Sequence, residues 1–594
     1  MAKGYRGVPR DQLYLLPPDM RDWLPEGHPV WLVIEVVKDH LDTSAFHAFR
    51  RTGGAGAAGY DPDMLITLLV WAYANGVRSS RRIEQLCRTD AAFLVICAGN
   101  HPDHVTIARF RGQCAAAMAD LFAQVLGLCA RLGMGRLGVV ALDGTKVAAN
   151  ASKSANRSLA RLRELAREAV AEHAAADAAE DAAHGAGRRG DEVPPGVASP
   201  QSRAGKKARA ERIGRALAEM EAEEKAAADA ARAGQAARAG TFRARKAAGQ
   251  RTGPAPAGAG AELVQERVDA AIAAQQARID DWNARDAADR AAGGPGLSKR
   301  TRPKSPASEY CRVRRAEARR DAARERDAAR DAARAREQDE HPRSRNITDP
   351  DSRLMPVRGG GFIQGYNTQN LTSQDGLIIA TEVTTTTGDV TWLEPMLAKA
   401  AAAAEYITAR QPPRPASQHS ETSPDNRTSP DSRTSPDSET SQDSETSTDS
   451  AARCRCGTCG TCLIGLLLAD AGYKSEHNMT CPGPDRLIAT GKHRDLEKKA
   501  RHPDAPAGPG EPDGPATTAM TERLRTEEGI TAYRQRGHIA ETPHASIKHN
   551  LHFRQFSLRS LPEATGEWHL ITSVHNILKA ITTGHLTTQA LTAL

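Results

Sequence analysis

The sequence predicts an α/β domain preceded by an all-helical N-terminal domain and interrupted by a long helical or disordered insertion. Three observations carry this. Apolar residues recur at helical spacing through residues 1–135. Runs rich in β-branched residues, bounded by turn chemistry, appear at 136–150, 359–390 and 462–488. Between 155 and 345 the composition shifts to Ala, Arg, Asp and Glu. A chain of 594 residues has room for roughly two to four domains.

In chain order, "WLVIEVVKDHL", "DMLITLLVWAYANG" and "MADLFAQVLGLCARLG" carry helical periodicity, with Gly76 and Gly133 near helix ends. Between them "SSRRIEQLCRTDAAFLVICAGNHPDHVTIARFRGQ" reads as short helices joined by a turn at "GNHPDH". The helix after that turn carries Arg109 and Arg111, a placement shared by DNA-binding helix–turn–helix units and by ordinary solvated surfaces. "RLGVVALDGTKVAAN" (136–150) reads as a strand with Asp143 at its apolar end. The long segment 155–345 follows; its Ala/Arg/Glu pieces favour helix but lack an apolar stripe. It holds about 40 basic and 30 acidic residues, more than the whole positive surplus of the chain.

Strand chemistry resumes within 346–410, where "GGGFIQGYNTQNLTS" and "GLIIATEVTTTTGD" flank a hairpin turn at "QDG". An amphipathic helix, "VTWLEPMLAKAAAAAEYI", comes next, with Asp389 placed to cap it. Residues 411–453, a degenerate "TSPDS" repeat, have too little apolar surface to order and read as an acidic linker. In 454–594 the cysteines of "CRCGTCGTC" (Cys454, Cys456, Cys459, Cys462) could ligate zinc or an iron–sulfur cluster, or form an incidental Gly/Cys-rich loop. "CLIGLLLADAGYKSE" is a buried strand with Asp470 just past its end, where a carboxylate either caps a turn or faces a cleft. A short strand, "DRLIATGK", and two helices complete the order.

Net charge is +7 and the isoelectric point about 8.9, which permits nucleic acid as a partner. No 18-residue apolar run exists and "MAKGYRGVPRDQ" lacks a signal-peptide core, so no membrane association and a cytoplasmic, nucleoid-associated location are expected. Ten cysteines in so long a chain are expected to be free thiols.

From 136 onward, with insertions removed, the order is strand, strand, strand, helix, strand, short strand, helix, helix. Asp143, Asp470 and Glu541 lie on three separate elements of that order. Three such carboxylates suit two divalent ions about 4 Å apart, the arrangement that activates a nucleophile and stabilises a leaving oxygen at a phosphodiester. Glu541 and Lys548, seven residues apart, lie on nearly one face of a regular helix.

With those residues in place the sequence resembles the DDE transposases of bacterial insertion sequences. The likeness covers 1–150, 346–410 and 460–590, and its most specific piece is "YRQRGHIAETPHASIKHN". Tyr533, Arg536, Glu541 and Lys548 fill the positions of that family's tyrosine, arginine, catalytic glutamate and lysine. "LDGTKVAANAS" and "LADAGYKSE" resemble its two aspartate segments, and "DHVTIARFR" its N-terminal helical domain. Two departures stand out: Arg536 and Glu541 are one residue farther apart than usual, and "HAS" (544–546) replaces a frequent Phe–Gly.

The resemblance implies an RNase H-like catalytic domain with a mixed sheet flanked by helices. It implies Asp143, Asp470 and Glu541 as catalytic metal ligands for two Mg²⁺ (or Mn²⁺) ions. It assigns DNA contacts to Tyr533, Arg536, Lys548, Arg109 and Arg111. The activity implied is metal-dependent cleavage at element ends and strand transfer into target DNA. Double-stranded DNA, both terminal inverted repeats and target, is the expected partner, bound by a homodimer or higher oligomer. An RNase H-like nuclease without strand transfer and an inactive DNA-binding remnant are the alternatives.

Overall fold

The computed structural model describes residues 19–48, 59–184, 200–250, 260–307, 311–340, 343–357, 360–413, 463–491 and 514–594. Most of the acidic repeat, and Cys454, Cys456, Cys459 and Cys462, lie outside these residues. The chain divides into two units, one of 1–154 with 351–594 and one of 155–350.

The first unit begins with short helices, four of which are started by a residue whose side-chain oxygen accepts from the first free amides. Asp61 caps Pro62–Ala74, Ser79 caps Ser80–Thr89, Asp90 caps Ala91–Ile96 and Asp103 caps His104–Gln113. Pro62–Ala74 is apolar almost all round and buries Leu65, Ile66, Leu68, Leu69, Val70 and Trp71, as a helix at the centre of a layer must. These helices share one continuous hydrophobic core with the sheet that follows, so the helical region expected at 1–135 belongs to the same unit as the sheet.

Strands β1 (Val139–Ala148), β4 (Arg353–Pro356), β5 (Phe362–Ser373), β6 (Ile378–Thr384), β7 (Leu466–Ala469) and β8 (Asp485–Ile488) form a mixed six-stranded sheet; β2 (Asn156–Ser158) and β3 (Ser344–Asn346) belong to the second unit. The order is β4-β5-β1-β7-β8, with β6 also on β5. β1 runs antiparallel to β5, Asp143 opposite Asn370, and parallel to β7, Leu142 opposite Ala469. The expected hairpin joins β5 and β6 at Gly376, whose φ of 85° an L-residue rarely adopts. Asp375 in the same turn accepts from the Gly135 and Arg136 amides at 2.8 and 3.1 Å, which ties the hairpin to the start of β1.

The helix Leu393–Thr408 and the C-terminal helix Leu561–Thr582 both pack on β6, and the latter also lies against Met118–Arg131 and Pro62–Ala74. Between β8 and the C-terminal helix, Pro515–Arg525 and Glu527–Arg536 lead into a segment with altered winding. Gly537–Glu541 and Ser546–Asn550 are π-helical, with the α-turn Thr542–Ala545 between them.

The second unit is built from long helices. Leu159–His184 and Pro200–Ala247 meet through Leu162, Leu165, Ile213, Ala216 and Met220. Gly260–Ala291 lies along Cys311–Glu340. Two short strands, β2 (Asn156–Ser158) and β3 (Ser344–Asn346), pair antiparallel at its ends. Among the described residues of either unit, no single helix is long and apolar enough to cross a membrane.

Candidate active site

β7 is shorter than β1, and this creates the site. Parallel pairing stops at Leu142 and Ala469, so the next residues, Asp143 and Asp470, emerge side by side from neighbouring strands. Asp143 does not end its strand, as the apolar run suggested. β1 continues to Ala148 against β5, which holds Asp143 in extended backbone on both sides. Asp470 begins the 3-10 turn Ala471–Tyr473 and accepts from the Gly472 amide at 2.9 Å.

The third element is the Tyr533–Lys548 segment. Arg536 reaches between the carboxylates: Nη2 lies 3.0 Å from Asp143 Oδ1 and 3.8 Å from Asp470 Oδ2, and Nη1 lies 3.6 Å from Glu541 Oε1. Three acids thus share one guanidinium that is only 11 % exposed, while the Glu541 side chain is 63 % exposed at the rim. Burial, and then the neighbouring Asp143 charge, push the Asp470 carboxyl above its ordinary range, although Arg536 opposes both. Two half-desolvated carboxylates with one cation between them are short of positive charge.

His544 is the other unusual group. Its side chain is 9 % exposed, and Nε2 lies 3.9 Å from Asp143 Oδ2. Neither ring nitrogen makes a hydrogen bond, nor does Arg536 Nε. Burial first, and the Lys548 cation second, lower its pKa to about 4, with the Asp143 main chain opposing. The ring is therefore neutral at ordinary pH. Lys548 itself donates to Thr145 Oγ1 and, at 3.0 Å, to the Lys146 carbonyl, which pins this helix to β1 two residues beyond Asp143.

Three of the residues expected to face DNA are placed otherwise. Arg111 is buried: Nη1 donates to the Arg78 carbonyl at 2.8 Å and to the Tyr73 hydroxyl at 3.2 Å, because a cation at that helical position meets the buried Tyr73–Glu567 pair. Tyr533 is buried and donates to the Ala469 carbonyl at 3.2 Å, which steadies the end of β7. Arg536 turns into the acidic cluster. Arg109 is exposed, and Lys548 is partly so.

Asp389 precedes its helix as the sequence predicts, but its side chain makes no capping bond. Its Oδ1 instead accepts from Asn367 and Gln369, each at 2.7 Å. It packs over two glycines. A Cβ on Gly144 would lie 2.5 Å from Asp389 Oδ1, and one on Gly472 would lie 3.1 Å from Oδ2. Asp389 is therefore a fourth acid at the rim, fixed by amides on β5. The sequence signal was available, an acid in the loop after a strand of the same sheet, but a cap explained it equally well.

The donor set suits hard divalent cations: carboxylate oxygens from adjacent strands, short of positive charge, beside a buried imidazole with no partner. The carboxylates are not closed into a ligand cage in this structure, as the expected convergence of all three required. Among the described residues only His47, Asp61 and Asp63 bring three ligand atoms within 4.8 Å of one another. Arg536 is the physical reason, since it occupies the space between Asp143, Asp470 and Glu541.

Comparison with known families defines the class. A family described as Transposase domain (DUF772) matches residues 18–113, and one described as Transposase DDE domain matches 513–581. The second match contains Tyr533, Arg536, Glu541, His544 and Lys548. Both matches are to transposase families, and together they support a DDE transposase of insertion-sequence type. No curated protein and no solved structure matches the chain.

Proposed function

We propose that this transposase cuts DNA at the ends of its element by metal-dependent hydrolysis and joins the freed 3′-hydroxyl to target DNA. One observation carries the reading: Asp143 and Asp470 emerge together from adjacent parallel strands and meet Glu541 around a single arginine. The sheet order β5-β1-β7-β8, antiparallel then parallel, with helices packed on it, supports an RNase H-like catalytic domain.

Two divalent ions, Mg²⁺ or Mn²⁺, held at Asp143, Asp470 and Glu541 would supply nucleophile activation and charge stabilisation at the phosphodiester. The chain's own residues divide the remaining work. Asp143, fixed within β1, and Asp470, fixed by the Gly472 amide, set the position of the reacting phosphate. Glu541, exposed on its helix, is free to swing inward. Arg536 balances the acids before DNA arrives. Lys548 uses two of its three donors on β1 and keeps one for a phosphate oxygen. Arg109, exposed on the helix His104–Gln113, offers a further backbone contact. The DNA partners in this reading are the terminal inverted repeats and the target duplex, bound by two or more copies of the chain.

The test is cleavage and strand transfer in Mg²⁺ on duplexes carrying the repeats that flank the gene, alongside a gel shift. Asp143→Asn should bind the ends and neither cut nor join them, because phosphate binding comes mainly from Lys and Arg. Wild-type cutting by Asp143→Asn would remove the metal mechanism. Cutting without joining by the wild-type protein would leave a nuclease.

A further inference from the structure

His544 is buried with both ring nitrogens unpartnered, 3.9 Å from Asp143 Oδ2. A buried polar group without a well-formed hydrogen bond is costly, so such a group inside a site calls for a partner that arrives later. Its surroundings narrow the choice. Arg536 takes the other oxygen of Asp143, Oδ1, so the His544 side of that carboxylate is separate from the arginine. Lys548, the nearby cation, donates to Thr145 Oγ1 and the Lys146 carbonyl. On that side the ring Nε2 and Asp143 Oδ2 face one another, one nitrogen and one oxygen donor.

Spacing supplies the second argument. Glu541 and His544 stand three residues apart, as Glu-x-x-His, where the π-turn Gly537–Glu541 meets the α-turn Thr542–Ala545, the spacing at which a helix supplies a carboxylate and an imidazole to one metal site. Two ligands that each lie about 2.1 Å from one ion are separated by roughly 3–4.2 Å, and 3.9 Å falls in that interval.

We propose that His544 is a nitrogen ligand to a divalent cation it shares with Asp143 and Glu541, which makes this a mixed nitrogen–oxygen site that favours Mn²⁺ over Mg²⁺. The inference rests on the metal-dependent reading above and adds to it a ligand and a preference. Imidazole suits first-row transition ions, whereas Mg²⁺ prefers oxygen and retains its waters.

The experiment uses the full chain and Mn²⁺ alone. Pulsed electron paramagnetic resonance reads imidazole nitrogen coupled to the bound ion, and calorimetry reads the Mn²⁺ and Mg²⁺ affinities. The cluster His47, Asp61 and Asp63 could also take Mn²⁺, so the measurement is made in a His47→Ala background as well. The expected result is a nitrogen coupling that survives His47→Ala and disappears in His544→Phe and in His544→Gln. Mn²⁺ affinity should fall about tenfold or more with Mg²⁺ affinity changed far less. Either variant suffices if the other does not fold, and the wild-type and His47→Ala spectra need neither. Mn²⁺ bound at a site that Asp143→Asn removes, but without nitrogen coupling, overturns the role of His544 and leaves the metal mechanism standing. The absence of any Asp143-dependent Mn²⁺ site overturns both.

Discussion

Two buried polar clusters in the first unit differ in how their charges are met. Glu567, on the C-terminal helix, is 1 % exposed, and both of its oxygens have neutral donors. Tyr73 donates to one at 2.6 Å, and the Ser557 and Leu558 amides donate to the other at 2.7 and 3.1 Å. Arg111 closes the cluster through Tyr73. At Asp143 and Asp470 the carboxylates share Arg536 with Glu541, and the buried His544 ring beside them faces the Asp143 carboxylate at 3.9 Å without a well-formed hydrogen bond. The first cluster is complete with the chain alone and holds helices together. The second sets three carboxylates around one guanidinium, with the His544 ring beside them, which is how a site looks when part of it comes from outside.

The largest effect should separate the two clusters by kind. Asp143→Asn should lower cleavage by at least about 10³-fold while leaving the melting temperature near wild type, since it relieves repulsion with Asp470. Glu567→Ala should do the reverse. It strands two buried amides and the Tyr73 hydroxyl and should cost about 3 kcal/mol of stability or more, read by chemical denaturation. If Glu567→Ala folds normally and loses only activity, the contrast between the clusters is wrong.

The histidines provide the next test. His575 resembles His544 in burial, but its Nε2 meets the Gly376 carbonyl at 3.1 Å. Burial lowers its pKa to about 4, from about 6.5 in an unfolded chain. Below pH 6.5 the unfolded state takes up a proton that the folded state refuses. Stability should therefore fall as the pH drops from 6.5 to 4, by on the order of 3 kcal/mol for this ring. His569, also lowered to about 4 by burial, adds to the same slope. Unfolding free energies measured across this range should show a shallower slope in His575→Gln. An unchanged profile would mean that this ring is not the source.

What could be read from the sequence followed local pattern. Apolar runs announced β1 and β7, and the order of elements put Asp143, Asp470 and Glu541 on separate ones. Position along a strand was less legible: Asp143 sits inside β1, because the length of the partner β7 decides where the sheet opens. The side a charge faces was not legible at all. Arg109 and Arg111 are two residues apart on one helix, yet only Arg111 finds a buried tyrosine 38 positions earlier in the chain. The π-helical winding at 537–541 and 546–550 alters the simple face geometry assumed for Glu541 and Lys548. His544 appeared only as a departure from a pattern, although its spacing from Glu541 was visible.

Packing over the rim gives a smaller effect. Gly144→Ala would set a methyl 2.5 Å from Asp389 Oδ1 and 2.6 Å from Gln369 Nε2. The obstacles are side-chain ends that can give way, so the cost should be about 1–2 kcal/mol. A second substitution, Asp389→Ala, should recover part of it. If the double variant is no more stable than Gly144→Ala, Asp389 is not what the glycine accommodates.

The smallest effect compares two neighbours on the helix His104–Gln113. Arg109 is exposed, so Arg109→Ala should leave stability within about 0.5 kcal/mol of wild type. If it meets a phosphate, the variant should bind end DNA more weakly and reduce the slope of log K against log salt by roughly one unit. Arg111→Ala should instead lower stability by about 2–3 kcal/mol, because Tyr73, Glu567 and the Arg78 carbonyl lose a buried partner. At temperatures where it remains folded, its salt slope should match wild type. Denaturation curves and gel shifts over a salt series read both quantities. A reduced salt slope in Arg111→Ala would return that arginine to the DNA surface, and an unchanged one in Arg109→Ala would take the exposed face of this helix out of end binding.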